Sequence, residues 1–262
     1  MAIDPRTPVL VGVGQVTDRP GASRGPDDRA EPLGLMVRSI RAALADSGGV
    51  ADRLLSAVGS VRVVRSLQWN VPDPGALVAA ELGASPRQSV LSAVGGNTPQ
   101  ALMADTASAI QRGDLDAAIV VGAECGYARA SARKAGEWLT WTEQEPDTPP
   151  AVPFGTDRPP VTEHEAAVGI QIPVHVYPLI ENALRLSGGW TRTEHRARIG
   201  ALWSRFSEVA ATNPYAWLRT AVGPTEVVEP GPSNRMVAFP YPKLCTANIQ
   251  VDQGAGFILC SA

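Results

Sequence analysis

No cysteine lies between Leu91 and Met103, where a strand-to-helix turn offers the setting in which nucleophiles are commonly placed, and no Gly-x-Ser-x-Gly stands there either. The three cysteines, Cys125, Cys245 and Cys260, form no Cys-x-x-Cys pair and are odd in number. They read as free, mostly buried thiols in a reducing compartment. "HEAAV" at 164–168 lacks the second histidine of a His-Glu-x-x-His zinc helix, so no metal site is expected. No Lys/Arg cluster or basic stripe occurs, and the net charge is −3, which argues against nucleic acid as a partner. No apolar run reaches the roughly 18 residues of a membrane span. The opening "MAIDPRTPVLVGVG" lacks a charged n-region ahead of a cleavable apolar stretch, so a cytoplasmic protein is expected.

Hydrophobic residues make up 44% of the 262, enough for a full core, and charged residues only 19%. Runs of Ala, Val and Gly suggest closely packed layers of helix on sheet. "PVLVGVGQV" (8–16) reads as a buried strand. Its Gly-x-Gly is a close-approach turn rather than a dinucleotide fingerprint, because Thr17 breaks the pattern. Residues 18–31 read as an exposed loop. Leu33, Met36, Val37, Ile40 and Leu44 share one helical face, and Gly48 and Gly49 stop that helix. Strands at 57–66, 88–94 and 117–124 alternate with helices at 75–83 and 98–112. Unbroken apolar runs such as "AAIVV" suit strands buried on both faces, so the fold class is α/β with a mostly parallel sheet covered by helices.

The turn Val94-Gly95-Gly96-Asn97 leads to Thr98 as N-cap and Pro99 at the first helical position. Residues 126–160 are a long Pro-rich excursion, followed by helices at about 163–187 and 193–212 and a Pro/Gly segment at 223–234. Tyr177, Tyr215, Trp203 and Trp217 on or beside those helices read as core aromatics. The last residues, Phe257 to Cys260, read as a core strand with nothing polar after it, and the chain reads as part of something larger.

This order of elements, with "GDLDAAIVVGAE" after the helix, resembles the thiolase superfamily, particularly sterol-carrier-protein-type thiolases and thiolase-like proteins. "VLVGVGQV" resembles the family's first strand. "PYPKLCTANIQVDQGAGFILCS" resembles the strand returning to the N-terminal domain, with Gln253 as a departure. "TEHEAAVG" resembles the His-Met-Gly stretch beside pantetheine, with Glu165 in place of methionine. The resemblance implies a layered thiolase-like fold with an N-terminal domain at 1–125 and 236–262, an inserted loop domain for CoA and substrate at 126–235, and a C-terminal half absent from this chain.

The family's acyl-accepting cysteine falls at Gly96, or Gly95 if one residue slips, so the resemblance supplies no catalytic residue here and no covalently bound cofactor. It implies an acyl-CoA thioester as ligand, with His164, Asn97, Thr98 and Asn213 as binding residues. Two of these have a plainer alternative, His164 as a helix N-terminal residue and Asn213 as a turn-former before Pro214. Glu163 and Glu165 read as solvated first-turn acids. Three functions stay open: acyl-CoA binding in lipid or sterol metabolism without an acyl-cysteine, a retro-aldolase or acyltransferase subunit using groups of the missing half, or a non-catalytic assembly module for an OB-fold or zinc-ribbon partner. The expected partners are a second copy, paired through the open strand edge at 87–96, and a second chain or fragment completing the fold.

Overall fold

The structure, a computed structural model, describes residues 3–20 and 30–262. In chain order the strands are β1 (Pro8–Thr17), β2 (Val58–Val63), β3 (Gln88–Ser92), β4 (Ala117–Cys125), β5 (Val152–Phe154), β6 (Met236–Ala238), β7 (Tyr241–Pro242) and β8 (Asp252–Ser261). The helices are α1 (Pro32–Asp46), α2 (Ala51–Ala57), α3 (Pro74–Leu82), α4 (Thr98–Arg112), α5 (Gly126–Ala135), α6 (Glu163–Ala167), α7 (Pro173–Ser187), α8 (Arg192–Thr212) and α9 (Pro224–Val228). Packing divides the chain into two units, Met1–Asp157 with Gln250–Ala262, and Arg158–Ile249.

The first unit is built on a six-stranded sheet in the order β1-β8-β4-β2-β3-β5. The pairs β4–β2, β2–β3 and β3–β5 are parallel, and β8 runs antiparallel to both its neighbours. The apolar run of β4 divides its side chains between two faces. Ile119 and Val121 join Met36, Ile40 and Val61 on one side, and Ala118 and Val120 join Leu102 and Ile110 of α4 on the other. A strand covered on both faces has no need of alternation, which is why the run is continuous.

The Gly-x-Gly of β1 is a close approach, as expected, but it sits within the strand and makes no turn. A Cβ on Gly12 would stand 2.1 Å from Ala43 O, and one on Gly14 1.9 Å from Ser39 O. Only bare backbone lets α1 lie this close to the sheet. Of the loop expected at 18–31, positions 21–29 lie outside the described residues. The flanks Asp18 and Ala30 are buried rather than exposed, and Asp18 takes a bond from Arg38 at 3.1 Å.

Two expectations meet a different arrangement. Residues 126–157 pack with the sheet unit. Tyr127 N and Ala128 N donate to Asp252 Oδ1 (3.0 Å each), Trp69 Nε1 donates to Thr142 O (2.8 Å), and Thr142 N donates to Glu31 Oε2 (2.9 Å). The units therefore part at 157/158 and 249/250, where the sequence suggested 125/126 and 235/236. The second difference is the sheet edge. β5 pairs with β3 from Val90 to Ser92, so the strand expected to lie open for a second copy through 87–96 is covered there. Pro153, which has no N–H, sits in the strand that now forms the edge, a position where proline discourages further pairing.

In the second unit, the single helix expected at about 163–187 is two. Gly169 has φ +87° and Pro173 opens α7, so the chain leaves the helix between them. A small core joins Ile199, Val227, Val228 and Cys245, with Trp203 packed against it. Tyr177 and Tyr215 are exposed, against their expected place in the core.

Candidate functional site

The crevice at the carboxyl ends of β2, β3 and β4 is where open α/β sheets ordinarily hold their ligands. The chain leaves β3 at Ser92, which is fully buried. Ser92 Oγ accepts from Arg65 N (3.1 Å) and donates to Ala93 O (2.9 Å), while Arg65 Nε donates to Ser92 O (3.1 Å). Two further bonds hold the next residues: Ala93 N donates to Phe154 O (2.7 Å) and Val94 N to Asp157 Oδ1 (2.7 Å). The turn is therefore anchored on one side and free on the other.

Gly95, Gly96 and Asn97 are exposed. A Cβ on Gly96 would meet nothing within 4 Å. The helix begins at Thr98 and its N-cap is Asn97, one residue earlier than expected. The reason is local: Thr98 Oγ1 donates back to Gly95 O (2.7 Å) and so does not cap a later amide. Asn97 makes no side-chain capping bond, and Pro99 has no N–H. α4 thus presents the positive end of its dipole at an open, glycine-lined turn, an arrangement suited to a developing or formal negative charge.

The neighbouring strand end supports the crevice. Glu124 accepts from Ser66 Oγ (3.0 Å) and Leu67 N (2.6 Å), fixing the loop after β2. Cys125 follows at the end of β4 and is fully buried. Burial first, and then the negative charges of Asp252, Glu124, Asp18 and Glu31, push its thiol far above the ordinary cysteine range. It is no substitute nucleophile, because the thiolate is the reactive form.

The remaining expected residues lie in the second unit. His164 is the second residue of α6 and is exposed. Glu165 serves a capping box: its carboxylate accepts from Thr162 N (2.7 Å) and Thr162 Oγ1 (2.8 Å). That role accounts for the acid beside His164. Asn213 caps the end of α8, and its Oδ1 accepts from Tyr215 N (2.9 Å), an Asx turn. Among the described residues no cluster of three or more His, Cys, Asp or Glu is placed to hold a metal ion. No described helix is long and apolar enough to cross a membrane.

No protein-family model matches the chain, and no curated protein matches it. Solved structures do. The chain is similar to a monomeric SCP2-thiolase-like protein type 1 (STLP1) from Mycobacterium smegmatis, with 30% identity and a TM-score of 0.76 over 99% of this chain and 47% of that one. It is also similar to the Ltp2-ChsH2(DUF35) aldolase, with 17% identity and a TM-score of 0.64 over 98% of this chain and 56% of that one. An acetyl-CoA acetyltransferase from Syntrophomonas wolfei follows, with 14% identity and a TM-score of 0.52 over 97% and 64%. The last two speak to the fold alone. The chain spans about half the length of the first two structures.

Proposed function

Since the chain belongs to the thiolase superfamily, as a protein of the SCP2-thiolase-like type, we propose that it binds an acyl-CoA thioester without forming an acyl-cysteine. The observation that carries this reading is the start of α4. The turn at 94–97 is exposed, its helix end has no side-chain cap, and the position that the resemblance gives the nucleophile is Gly96, or Gly95 if one residue slips, with open space around Gly96. Backbone amides there suit a thioester oxygen better than they suit any group the turn itself offers. Asn97 lines the same opening, while Thr98 holds the turn in shape. His164 and Asn213, both in the second unit, are proposed as further acyl-CoA contacts. Their exposure supports this for both, although the Asn213 carbonyl oxygen is engaged by Tyr215 N. The setting proposed is cytoplasmic lipid or sterol metabolism.

Calorimetry of the full chain against acetyl-CoA and longer acyl-CoA esters tests the proposal. Saturable binding is expected, with intact mass unchanged after incubation and dialysis. Gly96→Cys is expected to yield a trappable acetyl adduct at the turn, since the helix end lowers the pKa of a thiol placed there. An acetyl adduct on the unaltered chain at 94–99, or no binding of any ester, would overturn it.

The likeness in fold to the Ltp2-ChsH2(DUF35) aldolase favours a second reading. In it the chain is one component of a retro-aldolase or acyltransferase whose reacting groups come from a second chain completing the fold. An assembly role beside an OB-fold or zinc-ribbon partner is the non-catalytic form of the same idea. Turnover that appears only on adding a partner separates these from binding alone.

A further inference from the structure

The second unit contains a basic cavity that the acyl-CoA reading leaves unused. Its volume is about 200 Å³, and Arg185, Arg192, Thr193, His195 and Arg196 line it, with Met236 and Phe239 on its apolar side. The sequence builds it from the end of α7, the first turns of α8 and the β6–β7 hairpin. Gly188 and Gly189 end α7 and bring Trp190 round, so that Arg185 Nη1 donates to Trp190 O (3.1 Å). The Trp190 ring stacks on His195, with centroids 5.4 Å apart and planes 13° from parallel. Arg198 lies over the same indole, 3.9 Å from its centroid.

The charges in this cavity do not balance. Arg196 is paired, with Nη2 2.5 Å from Glu229 Oε2. Among the described residues Arg185 has only the Trp190 carbonyl, and Arg192 only the face of Phe239, 5.8 Å away. Among the described residues neither has a carboxylate within ion-pair distance. His195 is 4% exposed. Its Nε2 stands 2.7 Å from Glu181 Oε1, and Tyr241 OH donates to the other oxygen of that carboxylate. The approach to Glu181 is off the direction a hydrogen bond requires, and His195 Nδ1 has no partner at all. Arg185 Nε is likewise buried and unpartnered. Buried polar atoms are rarely left without a partner, and here the unpartnered ones belong to His195 and to the Arg185 guanidinium, two residues of the cavity wall, with the exposed Arg192 guanidinium beside them.

We propose that this cavity binds a small oxyanion of the phosphate type, either inorganic phosphate or the head of a phosphate monoester. The guanidinium fork matches phosphate oxygens in pairs, and a tetrahedral group offers oxygens to both arginines at once, with the His195 ring in the wall beside them. Thr193 adds a hydroxyl, and Met236 and Phe239 flank the organic part of a monoester. The site lies wholly within Arg158–Ile249 and does not depend on the turn at 94–98.

The test titrates the full chain with inorganic phosphate by calorimetry, following the His195 ring nitrogens by NMR in the same samples. Saturable one-to-one binding is expected, with sulfate competing and chloride at equal ionic strength failing to compete. The His195 signals should move in step with the heat. Arg185→Gln and Arg192→Gln should each weaken binding at least tenfold. Glycerol 3-phosphate should compete. Competition by coenzyme A but not by dephospho-coenzyme A would identify the nucleotide's monoester as the source, and competition by neither would assign a separate phosphorylated metabolite. No saturable binding, or unchanged affinity in folded Arg185→Gln and in folded Arg192→Gln, would overturn the proposal. Should these variants fail to fold, a His195 signal in the unaltered chain that stays still while phosphate binds would overturn it as well.

Discussion

Gly14 and Gly96 show how much the meaning of one residue type depends on what faces it. A methyl group at Gly14 would meet Ser39 O at 1.9 Å and Ala43 N at 2.7 Å, both backbone atoms of α1. Neither can move without lifting the helix. Gly14→Ala is therefore expected to cost about 2–3 kcal/mol or more, the range of overpacked cores. Gly96→Ala, which meets nothing within 4 Å, should stay within about 0.5 kcal/mol of the parent. Urea denaturation with an unchanged m-value checks both. Equal midpoints for the two variants would refute the close approach of α1 to β1.

At the scale of the element, α6 and α8 begin with the same device. Thr162 with Glu165 and Thr191 with Glu194 form capping boxes. The bonds from the threonine backbone and hydroxyl hold both carboxyls below the ordinary glutamate range. Their folded pKa values lie below the unfolded ones. The stabilisation is thus present above the unfolded value and is lost as the pH falls through the folded one. Carbon-detected titration should show both carboxyls with low midpoints, and Thr191→Val should raise Glu194 alone toward the ordinary range, the bond from the residue-191 amide remaining. A normal Glu194 midpoint in the parent would refute the box.

The two caps were not read from the letters, where Glu165 stood only as a first-turn acid; β1, α1, α4 and β4 were, because each element repeats its own pattern over enough residues. β5 was not. Three residues with Pro153 among them carry no period, and only the pairing with Val90–Ser92 makes them a strand. The break between α6 and α7 had its signals in Gly169 and Pro173, but the apolar spacing across it favoured one helix. The site divides in the same way. Gly95-Gly96-Asn97-Thr98-Pro99 announces a strand-to-helix turn by composition. Arg185, His195 and Met236 share a cavity only after folding, and no local spacing joins them.

At the scale of the molecule, β8 holds the first unit together. It pairs with β1 from Pro8↔Ser261 to Thr17↔Gln253, and with β4 from Ala117↔Cys260 to Cys125↔Asp252. Ending the chain after Gln250 is expected to abolish the cooperative unfolding transition of that unit, read by near-ultraviolet circular dichroism. A native transition in the shortened chain would show that the sheet closes by other means.

Of the six strands in this sheet, the one between β1 and β4 is made after the other five. While a ribosome works through the second unit, β1 and β4 wait with facing rows of unpaired amides and carbonyls, and every other strand of the sheet is already synthesised. Pairings between segments far apart in a chain form slowly, and exposed strand edges in the interval invite association with other chains. The nascent protein therefore has a long period of vulnerability, set by translation speed through residues 126–251. Chaperone dependence in the cell, and yield that rises at low expression temperature, are the marks such a topology leaves.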